Sequence, residues 1–105
     1  PAEITGGDGF DVLSGGANVV TEQGVDVTDK FLRGANLALS LCQQHDISVA
    51  VLSESSPSCG STTIYDGHFR RHKIAGKGVT VALLEKNGIQ VFNQFELEKA
   101  NLALI

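Results

Sequence analysis

Residues 47–67 read ISVAVLSESSPSCGSTTIYDG, and the first seven letters decide the fold. Ile47 to Leu52 form a short continuous apolar run between polar neighbours, the pattern of a strand buried in a parallel sheet. The next apolar segment, GVTVALLEKNG (78–88), predicts a helix that stops at Asn87-Gly88. IQVF (89–92) predicts a second strand, and Gln94 to Leu104 a final helix. Upstream of the first strand, Phe31, Ala35, Ala38 and Cys42 recur at helical spacing, with Leu37 and Leu41 widening the same apolar face. A helix capped by Thr28 or Asp29 and running to about His45 is expected there. Helix, strand, long loop, helix, strand, helix is the order of an α/β domain. The expected architecture is a small Rossmann-like parallel sheet flanked by helices, with an N-terminal β-hairpin region and one long loop after a central strand.

The first quarter is rich in glycine and in short β-prone runs: FDVLS, GG, ANVVT, EQG, VDVT. Gly15-Gly16 suits a two-residue hairpin turn and Glu22-Gln23-Gly24 a second turn, so a small antiparallel ribbon is expected. The glycines of TGGDG and SGG match neither the dinucleotide nor the P-loop spacing, and turn geometry accounts for them.

The chain has 105 residues, two cysteines and a net charge of −4. That length allows one domain, residues 1–105. The acidic balance argues against a general nucleic-acid binder. A small disulfide scaffold would carry more cysteines, so Cys42 and Cys59 are expected as reduced thiols or ligands. PAEITGGDGF has neither a charged n-region nor an apolar run and is not a signal peptide, and no segment reaches the length of a membrane span. A soluble, cytoplasmic protein is expected.

The segment from Glu54 to Lys77 is far longer than the roughly 2–6 residues of a typical strand-to-helix connection, and loops of that length are usually functional or disordered; Ile64, Tyr65 and Phe69 argue against simple disorder. It leaves the carboxyl end of a strand, where open α/β sheets bind ligands. Cys59 stands at its head among small polar residues, in Ser56-Pro57-Ser58-Cys59-Gly60-Ser61. Backbone N–H groups and hydroxyls nearby could stabilise a thiolate, the nucleophilic and metal-binding form. Cys42, by contrast, falls on the apolar face of a helix and reads as a packed residue. A single cysteine cannot hold a zinc ion or an iron–sulfur cluster. Tyr65 and Asp66 belong to a turn in I-Y-D-G. Four of the eight basic residues (Arg70, Arg71, Lys73, Lys77), with His68 and His72, fall within 68–77. That stretch reads equally as a solvated basic loop or as one that meets an anionic substrate.

Three blocks, PAEITGGDGFDVLSGGANVVTEQGVDVTDKF, SSPSCGSTTIYDGHF and GKGVTVALLEKNGIQVF, resemble the bacterial family long catalogued as domain of unknown function 523. Some members are known as thiouracil desulfidases, others as desulfidases of 4-thiouridine in tRNA. The resemblance runs from Pro1 almost to the C-terminus, and S-P-S-C-G with I-Y-D-G and G-x-G-V-T is its specific part. It implies an α/β enzyme whose [4Fe-4S] cluster is held by three cysteines. The fourth iron, left open, takes the thiocarbonyl sulfur of a thiolated base without net redox.

On the same resemblance, Cys59 matches the third cluster cysteine, a metal ligand and catalytic position. Ser56 matches a serine beside the substrate, with a proton-handling or hydrogen-bonding role. Ser58, Gly60, Ser61, Tyr65 and Asp66 become the substrate-binding candidates. The family's other two cysteines lie upstream, in blocks like S-A-C-L-L-G and C-P-E, so these residues are expected to be the C-terminal two-thirds of a longer desulfidase-like domain. The cluster is not expected on this chain alone. Ser53, Glu54 and Ser55 stand where the family often has basic residues, which weakens the case for a phosphate-bearing substrate. The expected partners are a small thiolated base or thiolated tRNA, and no membrane.

Two rival readings use the same residues. In a non-catalytic nucleobase- or nucleotide-binding module, the 68–77 loop would hold an anion and Cys59 would be incidental. In a metal-free thiol enzyme or redox sensor, Cys59 would act through a lowered thiol pKa.

Overall fold

A computed structural model describes residues 2–54 and 56–104. In chain order it contains β1 (Ala2–Thr5), α1 (Gly9–Leu13), β2 (Asn18–Thr21), α2 (Thr28–Gln44) and β3 (Val49–Leu52). These are followed by β4 (Thr63–Tyr65), β5 (Lys73–Ala75), α3 (Val79–Lys86), β6 (Gln90–Asn93) and α4 (Leu97–Ala103).

The α/β order holds, and β3 pairs with β6 in parallel, Val49 opposite Gln90 and Leu52 opposite Asn93. The sheet is smaller and less covered than expected, because among the described residues β3 and β6 pair only with each other. Val51 is 41% exposed, so β3 is not buried on both faces. Within the long loop, β4 and β5 form an antiparallel hairpin with Ile64 opposite Ile74 and Tyr65 opposite Lys73. Ile64 anchors that hairpin in the core at 1% exposure.

The N-terminal ribbon is built differently from the expectation. β1 pairs antiparallel with β2, Ala2 opposite Thr21 and Thr5 opposite Asn18. The segment expected as a strand, Phe10 to Leu13, is helix α1 instead. Asp8 accepts the N–H groups of Phe10 and Asp11 at 3.0 and 3.4 Å, and Asp11 Oδ2 accepts the N–H of Asp8 at 2.9 Å. This capping box overrides the β propensity of Phe and Val. Gly15 and Gly16 then terminate α1 rather than turn a hairpin, Gly15 at φ +85°. The second expected turn is present, with Gly24 N–H donating to Thr21 O at 2.9 Å.

Helix α2 begins at Thr28, but neither Thr28 nor Asp29 caps it. Asp26 Oδ1 accepts the Thr28 N–H at 2.8 Å, while Thr28 Oγ1 accepts the Val19 N–H at 2.9 Å and ties the helix start to β2. Ala35 and Cys42 are buried, whereas Leu37 and Leu41 are 67% and 55% exposed. At 3.6 residues per turn, Leu37 and Leu41 lie roughly 200–240° around the helix from Ala35, on its far side. They do not widen the buried face. Helix α4 starts at Leu97 rather than Gln94, because Asn93 Oδ1 accepts the Phe95 N–H at 2.9 Å and holds residues 94–95 in a turn.

Helix α3 is the central pillar. Val79 belongs to a core with Ile4, Val12, Val19, Ala35 and Ile64, and Val81 and Leu84 to a second core with Cys42, Ile89 and Val91. A helix buried nearly all round needs apolar residues at successive positions. V-T-V-A-L-L supplies them, with Thr80 the polar exception.

Candidate functional site

Residues 56–60 form a turn seated on the N-terminus of α3. The N–H of Val79 donates to Pro57 O at 2.7 Å, and that of Thr80 to Ser58 O at 2.8 Å. The Val81 N–H donates to the same Ser58 carbonyl at 3.2 Å, and the Gly78 N–H to Gly60 O at 2.8 Å. The first-turn donors of a helix normally need outside partners, and here the Ser-Pro-Ser-Cys segment provides them. Those donors are thereby taken up, so α3 does not offer an anion seat in the manner of a phosphate loop.

Contact this close depends on missing side chains. A Cβ on Gly78 would run into the backbone of Ser58, and one on Gly60 into the carbonyl of Thr63.

The candidate residues are placed as follows. Cys59 is half-buried, and its N–H donates to Ser56 Oγ at 2.7 Å. Ser58 Oγ shares a 2.6 Å hydrogen bond with Thr80 Oγ1. Ser61 is buried, donating from its N–H and hydroxyl to the Glu54 carboxylate at 2.7 and 3.0 Å. Asp66 accepts the His68 N–H and the Arg70 Nε–H, both at 2.9 Å. The His68 N–H, aided by the Arg70 guanidinium, holds the Asp66 carboxyl below the ordinary carboxylate range.

Ser56 and Tyr65 line two clefts. One, of about 420 Å³, also meets Glu3, Pro57, Phe69 and Arg71. The other, of about 470 Å³, also meets Glu54, Lys73 and Phe95. Both volumes suit a small molecule. Lys73 Nζ lies 5.6 Å from the Tyr65 ring centre, a cation–π contact. Of the basic stretch, Arg70 is paired with Asp66, and Lys77 with Glu85 at 2.7 Å, while Arg71 and Lys73 reach the clefts.

Sequence reasoning missed Glu3. This β1 residue is only 8% exposed, and its Oε1 accepts the N–H groups of Gly67 and Phe69 at 2.9 and 3.2 Å. It bridges the N-terminal strand to the loop behind the Tyr-Asp-Gly turn. The signal was a lone carboxylate among the small and apolar residues of Ala2–Thr5. Phe69 was also unassigned, whereas Arg71 belongs to the basic stretch already read as able to meet an anion, and both line the first cleft. Both adopt left-handed backbone, at φ +55° and +57°, a strained conformation for side-chain-bearing residues that tends to mark binding loops.

Among the described residues no three His, Cys, Asp or Glu side chains converge as a metal site. Cys42 is packed in the second core. These residues fit an iron–sulfur cluster only as the source of one thiolate, Cys59, and do not by themselves form a cubane site.

The profile of the 2-thiouracil desulfurase family matches residues 1–96. The chain belongs to that family. It is 48% identical over 97 residues to the uncharacterized protein YbbK of Bacillus subtilis (strain 168), covering 92% of this chain and 64% of that one. The solved structure of thiouracil desulfidase TudS, described as [4Fe-4S]-dependent, superposes with a TM-score of 0.82 at 54% identity. That match covers 83% of this chain and 58% of TudS. The chain thus spans less than two thirds of either relative, and the α/β fold is shared with TudS. Membership agrees with the block-by-block resemblance seen in the sequence. Among the described residues no helix is long and apolar enough to cross a membrane.

Proposed function

We propose that the whole protein is a cytoplasmic desulfidase that exchanges the thiocarbonyl sulfur of a pyrimidine for oxygen, acting on free thiouracil or on 4-thiouridine in tRNA. Thiocarbonyl and water become carbonyl and hydrogen sulfide, with no electron transferred. The observation that carries this reading is the turn that ties Ser56 to Cys59, set beside small-molecule clefts that Ser56 shares with Tyr65, in a chain of the thiouracil desulfurase family.

In this reading the chain is the C-terminal two-thirds of the desulfidase domain, and Cys59 is one ligand of a [4Fe-4S] cluster whose other two cysteines lie upstream. When bound, such a cluster supplies an open, soft Lewis-acidic iron suited to sulfur. The chain's own residues bind and orient. Ser56 Oγ already accepts the Cys59 N–H, so its hydroxyl proton is directed elsewhere, available to a substrate heteroatom or a water in the cleft. Glu3 holds the far wall through Gly67 and Phe69, and its carboxylate suits a ring N–H donor. Tyr65 offers a flat apolar wall with a polar tip.

The experiment is anaerobic reconstitution of the full-length protein and its Cys59→Ser variant, with iron, sulfide and thiouracil turnover measured. The wild type is expected to bind about four of each and to convert thiouracil to uracil, and the variant to do neither. An iron-free, inactive wild type would favour the second reading, a nucleobase- or nucleotide-binding module. Arg71 and Lys73 at the clefts support that alternative, in which their replacement by Ala weakens nucleotide binding and Cys59→Ser does not.

A further inference from the structure

The Glu54 side chain gathers the chain that follows Cys59. Its Oε1 accepts the N–H groups of Ser61, Thr62 and Thr63 at 2.7, 3.3 and 3.4 Å. Its Oε2 accepts the hydroxyls of Ser61 and Thr62 at 3.0 and 2.8 Å, and the Asn93 amide at 2.8 Å. The Glu54 N–H donates to Gln94 Oε1 at 3.0 Å. Asn93 closes β6 and is itself 6% exposed. A carboxylate at the end of β3 therefore fastens residues 61–63 to the end of the neighbouring strand.

The other side of Cys59 is fastened independently, by the carbonyls of Pro57 and Ser58 on the first turn of α3. Cys59 sits between these two clamps. An ionised carboxylate offers roughly four lone-pair sites, and the donors just named occupy them. Glu54 thus has little acceptor capacity left to serve as a base toward a substrate. Its hydrogen bonds are charge-assisted, and three of the six named come from successive backbone N–H groups, which suits it to hold a turn.

We infer that Glu54 is a positioning residue for Cys59, fixing the Ser61–Thr63 backbone so that the thiol is held where a partner can use it. This deepens the proposed function and rests on Cys59 being the working cysteine. The hydrogen bonds named for Glu54 lie at residues 61–63 and 93–94, so its loss should loosen the turn locally and leave the core intact.

The test uses the full-length protein as wild type, Glu54→Ala and Glu54→Gln. Each is followed by amide hydrogen exchange and Cys59 alkylation without cluster, and by iron content after reconstitution. In Glu54→Ala, exchange at residues 61–63 should quicken by about tenfold or more, as local opening becomes easier, while buried α2 and α3 amides keep their protection. Cys59 alkylation should rise several-fold, and iron content fall below half of wild type. Glu54→Gln keeps one acceptor oxygen but must turn hydroxyls around to face its NH₂, and should lie between the two. Unchanged exchange at 61–63, unchanged alkylation, or protection lost equally through α2 and α3 in both variants would overturn the proposal. If wild type takes up no iron, the cluster reading fails, while exchange and alkylation still decide whether Glu54 holds the turn.

Discussion

Ser56 Oγ accepts the backbone N–H of Cys59 at 2.7 Å, so a residue that lines both clefts also shapes the cysteine turn. Replacing Ser56 should therefore act twice. Ser56→Ala leaves the half-buried Cys59 N–H without its partner, at a cost of about 1 kcal/mol, read as a lower urea midpoint. If the proposed desulfidase reading holds, the same change in the full-length protein should cut thiouracil turnover far more than that loss of stability explains. A variant that loses stability but keeps wild-type kcat would confine Ser56 to a structural role.

The glycine at the head of α3 permits the contact between that helix and the cysteine turn. Gly78→Ala forces a Cβ against the Ser58 backbone and should destabilise by about 1–3 kcal/mol, as any overpacked site does. Gly34, inside α2, has nothing within 4 Å of an added Cβ. Gly34→Ala should stabilise by roughly 0.5–1 kcal/mol through helix propensity. Opposite signs in urea unfolding of the two variants are expected, and a shared sign would contradict the packing described.

Asp66 carries a pH dependence. Its carboxyl is held below its ordinary value of 3.8 first by the His68 N–H and further by Arg70. The folded-state pKa is thus lower than the unfolded one, and the ionised group contributes stability that is complete above the unfolded value. That contribution is lost as pH falls through the folded value. Asp66→Asn should lower the urea midpoint at pH 6–7, and the gap from wild type should close in acid below about pH 4. A gap of constant size from pH 7 down to pH 3 would rule this out.

What could be read in the sequence was set by how local each determinant is. The parallel pair β3 and β6 and the helix α3 follow from apolar runs and the Asn87-Gly88 stop, and all are present. Phe10 to Leu13 misled because a five-residue helix with a capping box has too few turns to show a helical period. Leu37 and Leu41 misled because they were counted as apolar without their angle around the helix. The cysteine turn was legible as an overlong loop with Cys59 at its head. Its Glu54 clamp was not, nor was the Glu3 bridge to the loop at 67–69, since Glu54 meets Asn93, and Glu3 meets Gly67, across long sequence separations that no local pattern encodes.

Glu3 should separate loop support from substrate contact. Glu3→Ala removes the acceptor for the Gly67 and Phe69 N–H groups and should cost about 1–3 kcal/mol, with faster hydrogen exchange at residues 67–71. Glu3→Gln retains a carbonyl acceptor and should keep most of that protection. If the proposed desulfidase reading holds and the carboxylate also meets the substrate, Glu3→Gln in the full-length protein should still raise KM or lower kcat for thiouracil. Wild-type kinetics in Glu3→Gln would leave Glu3 with the loop alone.

The two cysteines should part cleanly. Cys42 packs with Val81, Leu84, Ile89 and Val91 at 8% exposure, as a small apolar side chain would. Cys42→Ala removes one buried heavy atom and should cost on the order of 1 kcal/mol, with iron content and turnover of the full-length protein unchanged. Cys59→Ser should do the reverse, because a serine hydroxyl preserves the shape of the turn but supplies no thiolate. Its unfolding midpoint should stay near wild type while iron uptake disappears. Iron lost in Cys42→Ala but retained in Cys59→Ser would invert the assignment and place the ligand on the α2 face.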